Sequence, residues 1–415
     1  MKKYLLVSSL LLVSSVTAFG GGYQLYLQGL RQFAMGGTGT AWPWDASTIF
    51  YNPGGLARLK SIQVYASVLD INPRTAYGNA MTQTSTSAVK QSFTPFNFYV
   101  GGPLQEGSKW ALGLGIYTPF GSGLKWDDHW LGQYIIQSIS MSCFFFQPTV
   151  SYRVSDWISV GGGFVYSTGA IDIRQALPVH SYLGPSDPNT DQGEAHLHGN
   201  ANGVGFNLGV QIKAGDNLQF GLTYRSQVNM NVSGGSATFT VPKSLRDSFP
   251  NTTFAANMPL PQIATIGIGY KPTENLTVLF DLNYTGWKAF DSLRINFTDH
   301  TSSLKDNHAP RHYKNVFTPR IGACYKISKM VSAMCGFAYD PSPVTDGFVS
   351  PDLPDANRYV FSCGLSVKPI PRFTILAAFE GVTSVKRNGS YNYGGFSGTY
   401  QTQAATPGIG IYYNF

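Results

Sequence analysis

The chain predicts an all-β protein: a 14-stranded antiparallel transmembrane β-barrel whose lumen holds an N-terminal plug. Three observations predict it. The composition is poor in charge and rich in aromatic residues. A period of two dominates from residue 59 onward. The last residue is an aromatic one on the apolar parity.

The chain has 415 residues, with 46 Gly, 14% aromatic and 12% charged residues. A soluble domain carries about 25% charged residues, so this composition argues for apolar residues alternating with Ser, Thr, Asn and Gly. That is how a wall with lipid outside and a polar lumen inside is written. A soluble all-β protein is the alternative on composition alone.

Residues 1–18 read as a secretory signal. Lys2 and Lys3 form the basic region, Tyr4 to Val13 the apolar region, and Val16-Thr17-Ala18 the small-residue cleavage site. No later run has the ~18 apolar residues of a membrane helix. The expected location is therefore the outer membrane of a Gram-negative bacterium, crossed many times. Removing Lys2 and Lys3 takes 29 basic residues to 27 against 22 acidic, so the net charge falls from +7 to +5. Nucleic acid is not an expected partner.

Residues 19–58 come next and carry Trp42-Pro43-Trp44 and Asn52-Pro53-Gly54-Gly55. This stretch is too broken by Pro and Gly for a long strand or helix, and too aromatic for a linker. It is expected to fill the lumen of the barrel formed by 59–415.

Strands are expected near 59–71, 91–104, 109–119, 138–154, 157–174, 197–214, 217–232, 260–272, 275–298, 313–328, 330–340, 356–369, 372–388 and 400–415. Val204, Phe206, Leu208 and Val210 alternate with Gly205, Asn207, Gly209 and Gln211, an apolar face against a Gly-rich polar one. Connections alternate between short, such as Ser155-Asp156, and long, such as 175–196. Pro407, Ile409, Ile411, Tyr413 and Phe415 share one face, as the last strand of a barrel handed to an assembly machinery would.

Cys143, Cys324, Cys335 and Cys363 are expected to be free thiols. Strand parity puts Cys324 and Cys335 on opposite faces, and Cys335 and Cys363 on the same outer face.

The segment Asp45 to Ala57, centred on Asn52-Pro53-Gly54, resembles the Asn-Pro-Ala plug motif of FadL-type transporters, with Gly54 where the family usually has Ala. Gly22-Tyr23-Gln24-Leu25 is similar to that family's mature N-terminus. Three more segments agree in order: Lys125-Trp126 with Trp130 to Tyr134, Tyr284 to Trp287 with Phe290 to Leu293, and Ala338 to Val344 with Leu353-Pro354-Asp355. The resemblance implies a hatch in the barrel and passive uptake of long-chain fatty acids or other hydrophobic molecules. It further implies a groove between outer loops, an inner pocket, and lateral release through a kink in the third strand.

Within that frame, Pro119 and Gly121 are candidates for the kink, because Pro lacks the ladder donor and Gly weakens pairing. Gly113 and Gly115 are alternatives, and the same Pro and Gly also suit a plain strand end. Trp126, Trp130 and Tyr134 recur every four residues, so a short amphipathic helix would present them, with Leu131, as a landing groove for an apolar ligand. Packing against the rim is the alternative. Arg153, Arg225 and Arg320 have the lumen parity expected of a carboxylate anchor, with Lys213 a further candidate. Asp281, Asp340 and Glu380 are available to pair with them.

No cofactor, metal or catalytic group is expected, and the barrel is expected to be a monomer contacting outer-membrane lipid. Glu194, His196 and His198 fall in an expected loop and lack a further ligand for a metal; His308 and His312 are scattered. There is no nucleophile elbow or P-loop. Two other readings stay in play: an open porin for polar solutes and a lipid-acting barrel enzyme.

Overall fold

The computed structural model describes residues 21–79, 81–183 and 193–415. The expected signal peptide lies outside them, as do Phe19 and Gly20. Among the described residues no helix is long and apolar enough to cross a membrane.

Fourteen antiparallel strands close a barrel. Strand β1 runs Gln63–Leu69 and Asn72–Asn79, β2 Thr84–Ser87 and Phe96–Pro103, β3 Trp110–Lys125, and β4 Ser138–Arg153. Strand β5 spans Ile158–Leu177, β6 Gly193–Lys213, and β7 Leu218–Arg225 and Val228–Thr240. Strand β8 is Thr252–Leu260 and Ile263–Thr273, β9 Leu276–Thr285 and Ser292–Phe297, and β10 Asn307–Pro310 and Val316–Lys326. The wall finishes with β11 Val331–Asp340, β12 Arg358–Ile370, β13 Phe373–Ser384 and Arg387–Tyr391, and β14 Phe396–Asn414. Closure is made by β1 on β14, with Val64 opposite Tyr413 and Val68 opposite Ile409. Closing pairs the first strand with the last, so neither presents a free edge that lipid could not satisfy. The terminal Phe415 is exposed, and its N–H reaches Ile62 O at 2.9 Å.

Lower in the wall the alternation runs as expected. On β6, Val204, Phe206 and Leu208 face out, while Asn207 and Gln211 are buried inside. Higher up, both faces change sign. Strand β4 points Gln147, Thr149 and Ser151 inward at its lower end, but Phe145, Cys143, Met141 and Ile139 inward above. Its outer row changes in the opposite sense, from Val150 and Phe146 to Ser142 and Ser140. The same reversal occurs on β5 (Ser159 to Ile171 and Ile173) and β6 (Asn207 to Ala201, Leu197 and Ala195). The expectation of a uniformly polar inner face is thus corrected. Below the reversal the outer row is apolar, as a lipid-facing wall requires; above it, the outer row is polar and the inner row apolar.

In β7 and β8 the change needs a register device. Leu222 faces out and Arg225 in, yet after Ser226-Gln227 it is Val228, Met230 and Val232 that face in. Strand β8 shifts parity in the same way across Pro261-Gln262, so that Phe254 above and Thr265 below both face the lumen.

Residues 21–58 lie inside this wall, almost all buried. They form two single-turn helices, α1 (Leu30–Phe33) and α2 (Thr48–Tyr51), followed by a 3-10 turn at Pro53–Arg58. The lower inner wall provides polar partners for that backbone: Gln147 donates to Ile49 O at 2.8 Å, and Asn97 to Leu27 O at 2.9 Å. Polar wall and polar backbone satisfy each other out of water, as buried polar groups require.

Candidate functional site: an apolar path ending at a break in the wall

The path begins at the outer mouth. Tyr134, Ile135, Ile136, Ile139, Leu293 and Ile295 line a cavity of about 190 Å³, with Arg311 and Asp352 at its edge. Arg311 holds Asp352 through two bonds of 3.0 and 2.7 Å. Burial pushes the Asp352 carboxyl up, but the Arg311 guanidinium outweighs that and holds it below the usual carboxylate range. The expected amphipathic helix over 126–134 does not form; residues 128–135 make successive turns. Trp126 and Trp130 are buried, stacked at 4.4 Å, with their indole N–H groups bonded to Pro351 O and Ile136 O. Leu131 and Tyr134 are the exposed members, at 52% and 37%. The two Trp therefore hold the rim in shape, while Tyr134, Ile135 and Ile136 face the mouth.

Leu293 is shared with a second, inner cavity of about 30 Å³, enclosed by Met141, Cys143, Met230, Met258 and Leu260 among others. Its floor is aromatic. Tyr23 packs on Trp287 at 4.6 Å, on Phe290 at 5.5 Å and on Phe120 at 6.1 Å, and its hydroxyl donates to Pro259 O at 2.8 Å.

Beneath the floor the wall is broken. Strand β3 pairs with β2 only from Ala111 to Ile116. It does not end at residue 119, as the expected strand did, but continues to Lys125 along β4 with a bulge between Tyr117 and Phe120. From there β3 turns to the N-terminal segment: Leu25 donates to Pro119 O at 2.9 Å and Gly121 to Tyr23 O at 3.1 Å. Pro119 has no N–H to return to β2, which is why the ladder is lost at this point. Gly113 and Gly115 lie within the paired portion. Facing the unpaired stretch is residues 88–95, where Phe93 bridges to Ile71; a Cβ at Gly123 would meet the Phe93 ring.

Asn52 ties the N-terminal segment together and to the wall. Its amide donates to Thr40 O (2.8 Å), Val210 O (3.0 Å) and Gln211 (3.2 Å), and its carbonyl caps the following turn by accepting from Gly54 N–H at 3.1 Å. Pro53 opens that 3-10 turn. Gly54 O accepts from Ser159 and Ser151 hydroxyls at 2.7 and 3.2 Å.

The three arginines separate. Arg225 donates to Tyr117 OH (2.7 Å) and Phe50 O (3.1 Å) and covers the Phe50 ring at 4.5 Å. Arg320 lies 3.4 Å over the Tyr26 ring and bonds Gly36 O and Asn283. Both hold the N-terminal segment. Arg153 instead sits at the periplasmic rim, bonded to Gly107 O at 2.9 Å in a strand-end loop, far along β4 from the apolar cavity. Lys213 is at the same rim, paired with Asp216.

The remaining candidates fall outside the path. Glu194, His196 and His198 lie on strand β6 rather than in a loop, and His196 pairs with Asp172 at 2.8 Å. Among the described residues no group of three or more His, Cys, Asp or Glu is placed to hold a metal. His308 meets Asn296 and His312 meets Asp291. All four cysteines are free; Cys335 and Cys363 are direct register partners on the outer wall. Arg311, Asp352, Met230 and Met258 had no motif to mark them. Met230 and Met258 leave one sequence trace, the shift of parity beside each.

The profile of a family described as "Outer membrane protein transport protein (OMPP1/FadL/TodX)" matches residues 11–415. Outer membrane protein P1 of Haemophilus influenzae is 24% identical over 422 residues, covering 90% of this chain and 89% of that protein. The long-chain fatty acid transport protein of Escherichia coli K12 is 23% identical over 392 residues, covering 84% and 85%. Among solved structures, a Pseudomonas aeruginosa FadL homologue superposes with a TM-score of 0.84 at 18% identity, covering 95% of this chain and all (100%) of that one. The Ralstonia pickettii toluene transporter TbuX gives 0.71 at 15% identity, with 93% and 98% covered.

Proposed function

The chain belongs to the outer membrane protein transport family, and from that premise we propose that it carries hydrophobic small molecules passively from the outer mouth into the membrane. Residues 19–58 act as a hatch. Cargo lands beside Tyr134 and Leu131, descends past Leu293 to the inner cavity, and leaves sideways between β2 and β3 at Pro119 and Gly121. The observation that supports this most is the exchange of partners on β3, which gives up β2 for the backbone of Tyr23 and Leu25. A hatch bonded to the broken strand is in a position to open or shut the break. Arg225 and Arg320 act on the hatch, and the protein works without a cofactor or catalytic step, as a monomer.

The test is to seal the break. Phe93→Cys with Gly123→Cys spans it, and oxidation should cut uptake of apolar cargo at least about tenfold, with recovery on reduction. Heat-modifiable migration on a gel would verify an intact barrel. Undiminished uptake by the sealed protein would refute lateral release, and large steady ion conductance from the wild type would favour a porin.

A further inference from the structure

We propose that the periplasmic face of the barrel is a docking site for an acidic segment of a periplasmic protein. The positive charge of the chain is gathered there. Residues 58–60 and the six short connections at 104–109, 153–157, 213–217, 271–275, 326–330 and 368–372 carry ten Lys or Arg against four Asp or Glu. With Lys2 and Lys3 set aside, the rest of the chain has 17 basic residues (27 less ten) against 18 acidic (22 less four). A one-sided charge of this kind steers and selects oppositely charged partners.

The strands arrange these cations as a ring. Arg153 follows the buried Ser151 on β4, Lys213 follows Gln211 on β6, Lys326 follows Cys324 on β10, and Lys368 follows Ser366 on β12. On β8, Lys271 follows Thr265 through Gly267 and Gly269. A period of two therefore puts all five on the lumen side of the opening. The lipid-facing row at the same height is aromatic: Trp110 packs on Tyr152 at 4.6 Å, and Trp157, Tyr270 and Tyr325 are exposed, as the girdle at a membrane interface is. The ring thus addresses the periplasm and not phospholipid head groups. Its members also reach one another's partners. Lys213 foremost, then Lys271, holds the Asp216 carboxyl below its usual range, and Lys271, then Lys326, does the same to Glu274.

One arc of the ring is concave. Arg58, Lys60, Arg153 and Lys213 line an open hollow of about 700 Å³, with Trp42 and Pro43 of the N-terminal segment and one acid, Glu106. Arg58 donates to Ser159 at 3.0 Å and to Asp156 O, and Arg153 to Gly107 O at 2.9 Å. These partners are neutral, so they fix the guanidinium groups and leave their charge for a carboxylate. Lys60 is exposed, and Lys213 meets an Asp216 that stands almost wholly in solvent. Trp42 and Pro43 offer an apolar floor between the cations, which suits a peptide carrying one apolar side chain among its acids. Seated there, such a segment would touch the N-terminal segment and the wall together.

The experiment is fluorescence anisotropy on the full-length protein in nanodiscs of zwitterionic lipid, which leave both faces open. The probe is a labelled octapeptide of Asp and Glu with one central Leu, and its control carries Asn and Gln in place of the acids. At low ionic strength the acidic peptide should bind at least about tenfold tighter, and molar salt should abolish most of that advantage. Arg153→Gln with Lys213→Gln should weaken it at least about fivefold with heat-modifiable migration unchanged. Lys243→Gln with Arg246→Gln, in the outer loop between β7 and β8, should not. Bound peptide should also slow amide exchange over residues 42–60. Equal binding of the two peptides, or equal losses in the two double variants, would overturn the proposal. So would tighter binding of soluble peptidoglycan fragments than of the acidic peptide, which would make the cell wall the occupant.

Discussion

A methyl group at position 54 has nowhere to go. A Cβ there would lie 2.8 Å from Gly209 O and 3.0 Å from Ser159 O, so the 3-10 turn is pressed directly onto the β5–β6 backbone. The FadL-type motif usually carries Ala at this point, so here the turn sits closer to the wall than an alanine would permit. Gly54→Ala should therefore cost about 1–3 kcal/mol of stability, read as an earlier unfolding midpoint in denaturant with the barrel fold retained. The Asn52-Pro53 turn was legible in the sequence; its tightness was not, because it depends on Gly161 and Gly209, far along the chain, having no side chain. Asp355 makes a second residue-scale case. It accepts from Gly22 N–H at 3.0 Å and Ser342 at 2.7 Å. Burial pushes its carboxyl up to about 6, against the pull of Arg358. A raised folded value means that its contribution to stability is complete below about 4, its ordinary value, and is lost as pH rises through 6. The denaturation midpoint of the wild type should therefore fall relative to that of Asp355→Asn between about pH 4 and 6, and the two curves should run parallel above that.

At the scale of the element, β3 and β4 carry most of the design. The position of β3 followed from its alternation, but its continuation past Pro119 did not. A break such as Thr118-Pro119-Phe120-Gly121 ends strands more often than it redirects them, and the new partner, Tyr23 to Leu25, is nearly a hundred residues away in sequence. Strand β4 was placed to within one residue, 138–154 against Ser138–Arg153, yet its upper inner row was misjudged. Ile139, Met141 and Cys143 keep the same parity as Gln147 and Thr149, so period alone finds the strand without saying which solvent each face meets. The reversal is directly testable with Trp as a reporter. Phe146→Trp should be quenched strongly by brominated lipid acyl chains, whereas Ser140→Trp, on the same outer row, should be quenched weakly. Equal quenching would place the whole of β4 in hydrocarbon and remove the chamber above it.

For the whole molecule, the barrel, its strand number and its closure were readable because a membrane wall must repeat one rule along every strand. The path was readable only in outline. Its mouth depends on Arg311 meeting Asp352 across 41 residues, and its inner cavity on Met230 facing Met258 across a strand pair, neither of which any local pattern records. The sequence groups Trp126, Trp130, Leu131 and Tyr134 in one apolar loop; in the fold Leu131 and Tyr134 are exposed and the two Trp are buried. The reversal of sign up the wall also fixes how the protein relates to its host. On β4 the outer surface stops suiting hydrocarbon between Phe144 and Ser142, and among the described residues β4, β5 and β6 carry no second apolar outer row above that height to accommodate a thicker bilayer. The apolar span of the outer surface ends at the height at which the inner row changes from polar to apolar. A thicker lipid layer would submerge the polar collar around the chamber, so the pocket and the bilayer compete for the same few residues of each strand.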